Sequence, residues 1–233
     1  MVSPQKWKIE IVPLPTTSDY SKNLQKVITY TNNSPADFLL FPEVVLTGFD
    51  YQNWEKVNRF GKMAVEELKK GITKPIALTI IQNNRNYFFL LAPGEEIYSR
   101  GKWNLFGYEN RHFRRGRPPE IFQFGGIKIL PLICFELRFV EYWLQFRHQP
   151  DLILVPARWG KERISHFRTL LSALALSTQT WVAGVNSPNE FPYSALWNGW
   201  EEGVSGSQSL LSPIDFTITS KIQRKLPIQM EEG

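Results

Sequence analysis

Strand-like and helix-like hydrophobic patterns alternate along most of the chain. Residues 8–14 alternate polar and apolar positions, which predicts a strand, and apolar residues recur at helical spacing after Ser18. Residues 36–41 form a short run that is apolar except at Asp37, typical of a strand buried on both faces, and the run stops at Pro42. The same patterns predict further strands at 76–81, 87–91, 95–100, 121–124, 127–133, 152–155 and 181–185, and helices at 53–70, 140–147 and 167–178. This alternation predicts an α/β fold with a layered core.

Three ionisable residues of different types lie where predicted strands end. Glu43 directly follows the buried run that stops at Pro42, Lys102 follows the strand 95–100, and Cys134 follows the predicted strand 127–133. Functional residues in layered α/β proteins collect at the carboxyl ends of strands. These three residues are therefore the candidates for a catalytic site.

The composition predicts one soluble domain without a metal or cofactor. The chain has 233 residues, of which 42% are hydrophobic, enough for one sizeable core. The sequence shows no long uncharged apolar run, and charged residues stand where a signal peptide would be apolar, so we expect a cytoplasmic protein. A single cysteine cannot form an internal disulfide, and neither a metal-ligand cluster nor a phosphate-cradling glycine loop is present, so we expect no cofactor.

The net charge of +5 raises the question of an anionic partner. Basic residues crowd one short segment, at Arg111, His112, Arg114, Arg115 and Arg117. Such a segment can be a phosphate-binding patch or a solvated loop. No nucleic-acid recognition motif accompanies it, so the sequence favours a small-molecule substrate over nucleic acid, and it predicts no membrane partner.

The three candidate residues could together cleave an amide. A thiol has an ordinary pKa near 8.5, so at neutral pH it needs a base or a cation beside it to act as a nucleophile. Glu43 could accept the proton of Cys134, while Lys102 and the backbone N–H of Phe135 could stabilise the oxyanion. Taken singly, each residue also has an ordinary interpretation: a packed thiol, a helix-capping acid and a solvated lysine.

Three ordered motifs surround these residues and resemble the carbon-nitrogen hydrolase (nitrilase) superfamily. FPEVVLTGF contains Glu43, GKWNLFGYENRHFRRG contains Lys102 and Glu109, and ICFELRFVE contains Cys134. PARW, WVAGVN and GSQSLLSP resemble later motifs of the same superfamily. The resemblance implies that Glu43 is the general base, Lys102 the oxyanion stabiliser and Cys134 the nucleophile, with Glu109 orienting the lysine and the substrate.

The resemblance also implies the architecture and the kind of reaction. We expect residues 1–233 to form a single four-layer α-β-β-α sandwich, in which two sheets pack face to face, and we expect a homodimer or higher homo-oligomer. The implied enzyme is an amidase-type hydrolase that cleaves a non-peptide carbon-nitrogen bond of a small linear amide or carbamoyl-type substrate.

Residues beyond the triad suggest a substrate pocket, and two alternatives stay open. Arg138, Arg158 and Trp159 follow the cysteine strand and the next core strand, so an arginine could bind a substrate carboxylate while Trp159 forms a wall. One alternative is a Cys-His hydrolase whose base is His112, His148 or His166. The other is a catalytically impaired protein whose segment from Arg111 to Arg117 binds an anion or nucleic acid.

Overall fold

A computed structural model describes residues 6–200 and 203–228 of the chain. Its strands are β1 Lys6–Ile11, β2 Phe38–Leu40, β3 Ile76–Gln82, β4 Arg85–Ala92, β5 Glu95–Gly101, β6 Phe122–Phe124, β7 Ile127–Pro131, β8 Leu152–Ala157, β9 Trp181–Asn186, β10 Tyr193–Trp197, β11 Gly203–Gly206 and β12 Leu210–Asp215. Its α-helices are α1 Tyr20–Asn33, α2 Trp54–Gly71, α3 Glu109–His112, α4 Val140–Gln145, α5 Ile164–Thr178 and α6 Thr217–Lys225.

The described strands form two mixed sheets of six strands each. The first has the order β12-β1-β2-β3-β4-β5 and the second the order β11-β10-β9-β8-β7-β6. Strands β1, β2 and β3 are parallel in the first sheet, as are β7, β8 and β9 in the second. Ile9 and Phe38 of the first sheet share one buried apolar cluster with Ile129 and Val182 of the second, so the sheets pack face to face.

Helices cover the outer faces of both sheets. Leu24 of α1 and Leu68 of α2 pack with Leu39 and Leu78, which point away from the other sheet because side chains alternate along a strand. Helix α5 covers the second sheet through Phe167 and its buried neighbours. This arrangement confirms the predicted four-layer α-β-β-α sandwich. No helix in the described parts of the chain is long and apolar enough to cross a membrane.

Two details of the C-terminal half differ from the pattern along the sequence. Residues 216–219 (FTIT) carry a weak strand signal, yet they begin helix α6. The Asp215 carboxylate accepts hydrogen bonds from the backbone N–H and the hydroxyl of Thr217, at 3.0 and 2.7 Å, and this contact favours a helix start. Strand β7 ends at Pro131, three residues before Cys134, which instead begins a 3₁₀ helix, Cys134–Arg138. The acidic C-terminal end of the chain lies outside the described residues.

Helix α2 packs against strand β3 through a glycine, which makes a stability prediction possible. A Cβ added at Gly61 would lie 1.9 Å from the carbonyl oxygen of Ile81. Alanine favours a helix over glycine by about 1 kcal/mol, but the clash outweighs this gain, and we expect Gly61→Ala to lower the free energy of unfolding by about 1–3 kcal/mol. Urea denaturation measures the change. As a control, Gly206→Ala meets no atom within 4 Å and is expected to change stability by less than about 0.5 kcal/mol; an equal loss in both variants would contradict the clash.

Candidate active site

Lys102 lies between two carboxylates in the interior. Its Nζ donates to Oε1 of Glu43 and to Oε1 of Glu109, each at 2.8 Å, and all three side chains are buried. Burial disfavours the charged lysine, but the Glu109 and Glu43 carboxylates outweigh it and hold the pKa of Lys102 well above its ordinary value. An ammonium has three N–H donors, so one remains for a substrate oxygen. The lysine is thus a fixed positive charge.

Backbone and amide contacts hold the two carboxylates in place. Glu43 follows β2 at a turn, where its Oε1 also accepts from the Asn86 side chain at 2.8 Å. Glu109 begins the short helix α3, and its Oε2 accepts from the backbone N–H of Phe106 at 2.7 Å. Burial raises the pKa of Glu109, and Glu43 adds to this rise against the opposing effect of Lys102. Asn86 was not predicted as a site residue. Its neighbours in the sequence do not indicate that a strand asparagine contacts Glu43, 43 positions away.

Cys134 is held at a turn in a left-handed conformation, with φ of 49°. A non-glycine residue rarely adopts this backbone, which is typical of functional turns. Burial and then the Glu43 charge raise the pKa of Cys134 well above its ordinary value, against the lowering effect of Lys102 and of the Arg158 backbone N–H. Lys102 and Cys134 are therefore both protonated at neutral pH, and the site at rest holds a thiol.

One oxygen of Glu43 has no hydrogen-bond partner in the described part of the chain. Within the described residues, Oε2 of Glu43 is buried and has no hydrogen-bond partner, whereas Oε1 is bound by Asn86 and Lys102. A buried acceptor without a partner costs free energy, which substrate or a thiol proton would recover. Phe135 is the second residue of the 3₁₀ helix, where the backbone N–H has no partner inside the helix. It can donate to an oxyanion.

A buried ion pair between Arg100 and Glu136 holds the turn that carries Cys134. Arg100, in β5, binds Glu136 through both Nη atoms, at 3.0 and 2.5 Å, and neither side chain is exposed. Glu136 also accepts from the backbone N–H groups of Ile133 and Trp103, at 2.8 and 2.7 Å. The pair connects the turn that carries Cys134 to the strand that leads into Lys102. The sequence identifies Glu136 as a position of the cysteine motif but predicts no role for it, and it does not identify Arg100 as a site residue.

A pocket of about 220 Å³ opens onto Cys134. Its walls include four residues proposed from the sequence and two that were missed; the former are Phe135, Arg138, Arg158 and Trp159, and the latter are Phe106 and Arg163. Glu43 and Lys102 are not among the lining residues. A larger cleft of about 630 Å³ runs along α1, but the cysteine is not part of it.

The three arginines of the pocket are not equivalent. Arg158 forms an ion pair with Glu190 at 2.8 Å, so its charge is balanced. Arg138 stacks over the Trp159 ring at 4.6 Å and donates to Nδ1 of His166 at 2.9 Å, while Arg163 lies over the Phe106 ring at 5.3 Å. Within the described chain, neither Arg138 nor Arg163 has a carboxylate partner. The mouth of the pocket therefore carries two unbalanced positive charges.

The three histidines make contacts with residues other than Cys134. His112 stacks on Tyr51, His148 contacts the Ile228 carbonyl, and His166 contacts Arg138. None of them lines the pocket at Cys134. Among the residues that the structure describes, no group of three or more acidic, histidine or cysteine side chains could hold a metal ion.

Comparison with known proteins finds relatives among amidases. The chain is 26% identical to the omega-amidase YafV of Escherichia coli over 82% of this chain and 77% of that protein. It is 26% identical to the 2-oxoglutaramate amidase of Bacillus subtilis over 89% and 90% of the two chains. A protein of Staphylococcus lugdunensis named hydrolase in agr operon is 34% identical over 66% of this chain and 72% of that one. No protein-family model matches the chain.

Solved structures share the fold. A branch 10 member of the nitrilase superfamily from Saccharomyces cerevisiae superposes with a TM-score of 0.84 at 15% identity, covering 99% of this chain and 98% of that one. A CN-hydrolase superfamily protein of Xanthomonas campestris superposes with a TM-score of 0.82 at 21% identity, covering 95% of both chains. At these low sequence identities, the superpositions show that the proteins share a fold and nothing more.

Proposed function

Because the chain belongs to the carbon-nitrogen hydrolase (nitrilase) superfamily and is an amidase-type member of it, we propose that it hydrolyses the terminal amide of a small dicarboxylic acid monoamide. The products are ammonia and the dicarboxylate. The two unbalanced arginines at the mouth of the cysteine pocket carry this proposal, because they suit the free carboxylate at the far end of such a substrate. The names omega-amidase and 2-oxoglutaramate amidase, borne by two relatives, support the same substrate class.

The first half of the proposed reaction forms a thioester. Oε2 of Glu43 takes the thiol proton as the sulfur of Cys134 attacks the amide carbon, and the C=O electrons move onto oxygen. The free N–H of Lys102 and the backbone N–H of Phe135 donate to this oxyanion; one such donor is typically worth about 3 kcal/mol. When the tetrahedral intermediate collapses, the carbon-nitrogen bond breaks and Glu43 returns the proton to the nitrogen, which leaves as ammonia.

The second half releases the acid. Glu43, again a carboxylate, takes a proton from a water molecule that attacks the thioester carbon. The same two donors stabilise the second oxyanion, the carbon-sulfur bond breaks, and the proton passes from Glu43 to the sulfur of Cys134. The acyl group leaves as the acid, and both the thiol of Cys134 and the carboxylate of Glu43 are regenerated. The proposed cycle therefore needs no cofactor.

The proposal is tested by substrate preference. Ammonia release is measured with the monoamides of four- and five-carbon dicarboxylic acids and with butyramide, which has a similar chain but no carboxylate. We expect kcat/KM for the acids to exceed that for butyramide by about 100-fold, because two charged hydrogen bonds at about 1.5 kcal/mol each are lost with the neutral amide. Equal kcat/KM values would contradict the substrate class while leaving the amidase chemistry intact.

Replacing the arginines tests the carboxylate contact directly. We expect Arg138→Gln and Arg163→Gln each to raise KM for the acid monoamides by about tenfold with little change in kcat, because the contact is made equally in the ground state and the transition state. The KM of both variants for butyramide is expected to stay unchanged. Arg168→Gln is the matched control, since Arg168, in helix α5, lies over the Phe191 and Tyr193 rings and does not line the pocket. A tenfold KM effect in this control would contradict the assignment.

A further inference from the structure

A second cleft lies on the outer edge of the first sheet, apart from the cysteine pocket. It has a volume of about 410 Å³, within the range of small-ligand sites, and it is bounded by the edge strand β5, the start of β4 and the segment after α3. Four arginines line it, namely Arg85, Arg100, Arg115 and Arg117. Two of them belong to the basic segment, which the amidase reaction does not use. None of its lining residues lines the pocket at Cys134.

Two glycines let separate chain segments bring their arginines to this cleft. A Cβ at Gly116 would lie 2.0 Å from the Gly101 carbonyl oxygen, so the segment after α3 approaches β5 at backbone contact. The Gly116 N–H donates to the Lys102 carbonyl at 2.8 Å, and Nε of Arg85 donates to the Arg115 carbonyl at 3.2 Å. The cleft is therefore formed by fixed backbone.

The cleft has an excess of positive charge. No acidic side chain lines it, and within the described residues Arg85 and Arg115 have no carboxylate partner. Arg117 is paired with Glu120 at 3.0 Å, and Arg115 lies over the Trp103 ring at 5.8 Å. The buried Arg100, which also borders the cleft, directs its charge inward to Glu136. Two unbalanced guanidinium groups therefore face one concave surface.

We propose that this cleft binds a small ligand that carries a diphosphate or two neighbouring phosphate groups. Guanidinium groups bind phosphate oxygens through paired hydrogen bonds, and two or three of them match more than one phosphate charge. Tyr87 adds a half-buried ring to the wall, and its hydroxyl has no hydrogen-bond partner within the described chain. The concave shape favours a compact anion over an extended nucleic acid strand, which needs a continuous basic groove.

Isothermal titration calorimetry of the full chain with inorganic pyrophosphate tests the proposal. We expect saturable binding at one site, weakened by about tenfold or more in Arg85→Gln and in Arg115→Gln, because each loses a charged hydrogen bond to the anion. Arg114→Gln is the matched control: it removes the same charge from the same exposed segment, outside the cleft, and should bind as wild type. Thermal melting and amide hydrolysis verify that each variant is folded.

Three results would overturn the site. Absence of saturable pyrophosphate binding would do so directly. Weakened binding in Arg138→Gln and Arg163→Gln, with Arg85→Gln and Arg115→Gln unaffected, would place the anion at the mouth of the cysteine pocket instead. Equal weakening in Arg114→Gln, together with tighter binding of a single-stranded RNA oligonucleotide than of pyrophosphate, would show a general polyanion surface.

Discussion

Replacement of Cys134 by alanine is expected to lower ammonia release by a factor of about 10⁴ or more, because no other group in the pocket can form the thioester. The small change in side-chain volume should leave the melting temperature close to that of wild type. Activity is measured as ammonia release, and intact mass measures the acyl adduct, which should form in wild type and be absent from Cys134→Ala.

Glu43→Gln tests the proposed base independently of the proposed nucleophile. It removes the proton acceptor but keeps the thiol, so turnover should fall by about 10²–10⁴ while slow covalent modification of Cys134 by a reactive amide persists. His166→Asn is the control for the Cys-His alternative, and it should retain a kcat near that of wild type, since His166 contacts Arg138 and does not line the pocket. Turnover that survives the loss of Cys134, or that is abolished in His166→Asn and kept in Glu43→Gln, would contradict the proposed triad.

Lys102→Met is expected to impair both catalysis and folding. The rate should fall by about 10²–10³ because an oxyanion donor is lost. The free energy of unfolding should fall by about 3–5 kcal/mol, because the Glu43 and Glu109 carboxylates remain buried without their cation. Ammonia release and urea denaturation measure the two effects. As a control, Lys70→Met removes an exposed ion pair with Glu67 and should cost less than about 1 kcal/mol.

The same variant makes a prediction about pH. When burial raises the pKa of a carboxyl in the folded state, the protein loses stability as pH rises through that pKa. The pKa of Glu109 is already raised with Lys102 present. In Lys102→Met the stability deficit should therefore narrow as pH is lowered and Glu109 is protonated. Adding Glu43→Gln and Glu109→Gln should restore much of the stability at neutral pH without restoring activity. A deficit that does not change with pH would show that the loss comes from packing.

The Arg100–Glu136 pair shows why part of the site could not be predicted. Both residues are polar, one in a strand and one after a cysteine, and local pattern assigns such residues to the surface. Their burial depends on each other, because a buried guanidinium is tolerated only beside a well-placed carboxylate. The two are 36 positions apart in sequence, and their contact exists only once β5 and the cysteine turn meet. Asn86 and Arg163 were missed for the same reason.

Helix α6 shows that strand propensity alone can predict the wrong secondary structure. Thr217 and Thr219 are β-branched and favour a strand by propensity, but the Asp215 carboxylate accepts from Thr217 and Ile222 packs in the interior. Propensity is weak compared with a capping contact and apolar burial, so the segment is helical.

The sequence by itself determined the layered α/β fold and the positions of Glu43, Lys102 and Cys134 at the ends of strands, because periodic burial and strand termination are written in neighbouring residues. Only the tertiary structure decided that Lys102 lies between Glu43 and Glu109, that the Glu43 oxygen Oε2 is free, and which arginines keep an unbalanced charge. These properties depend on contacts between residues far apart in the chain, where hydrogen bonds and charges are paired by folding rather than by sequence order.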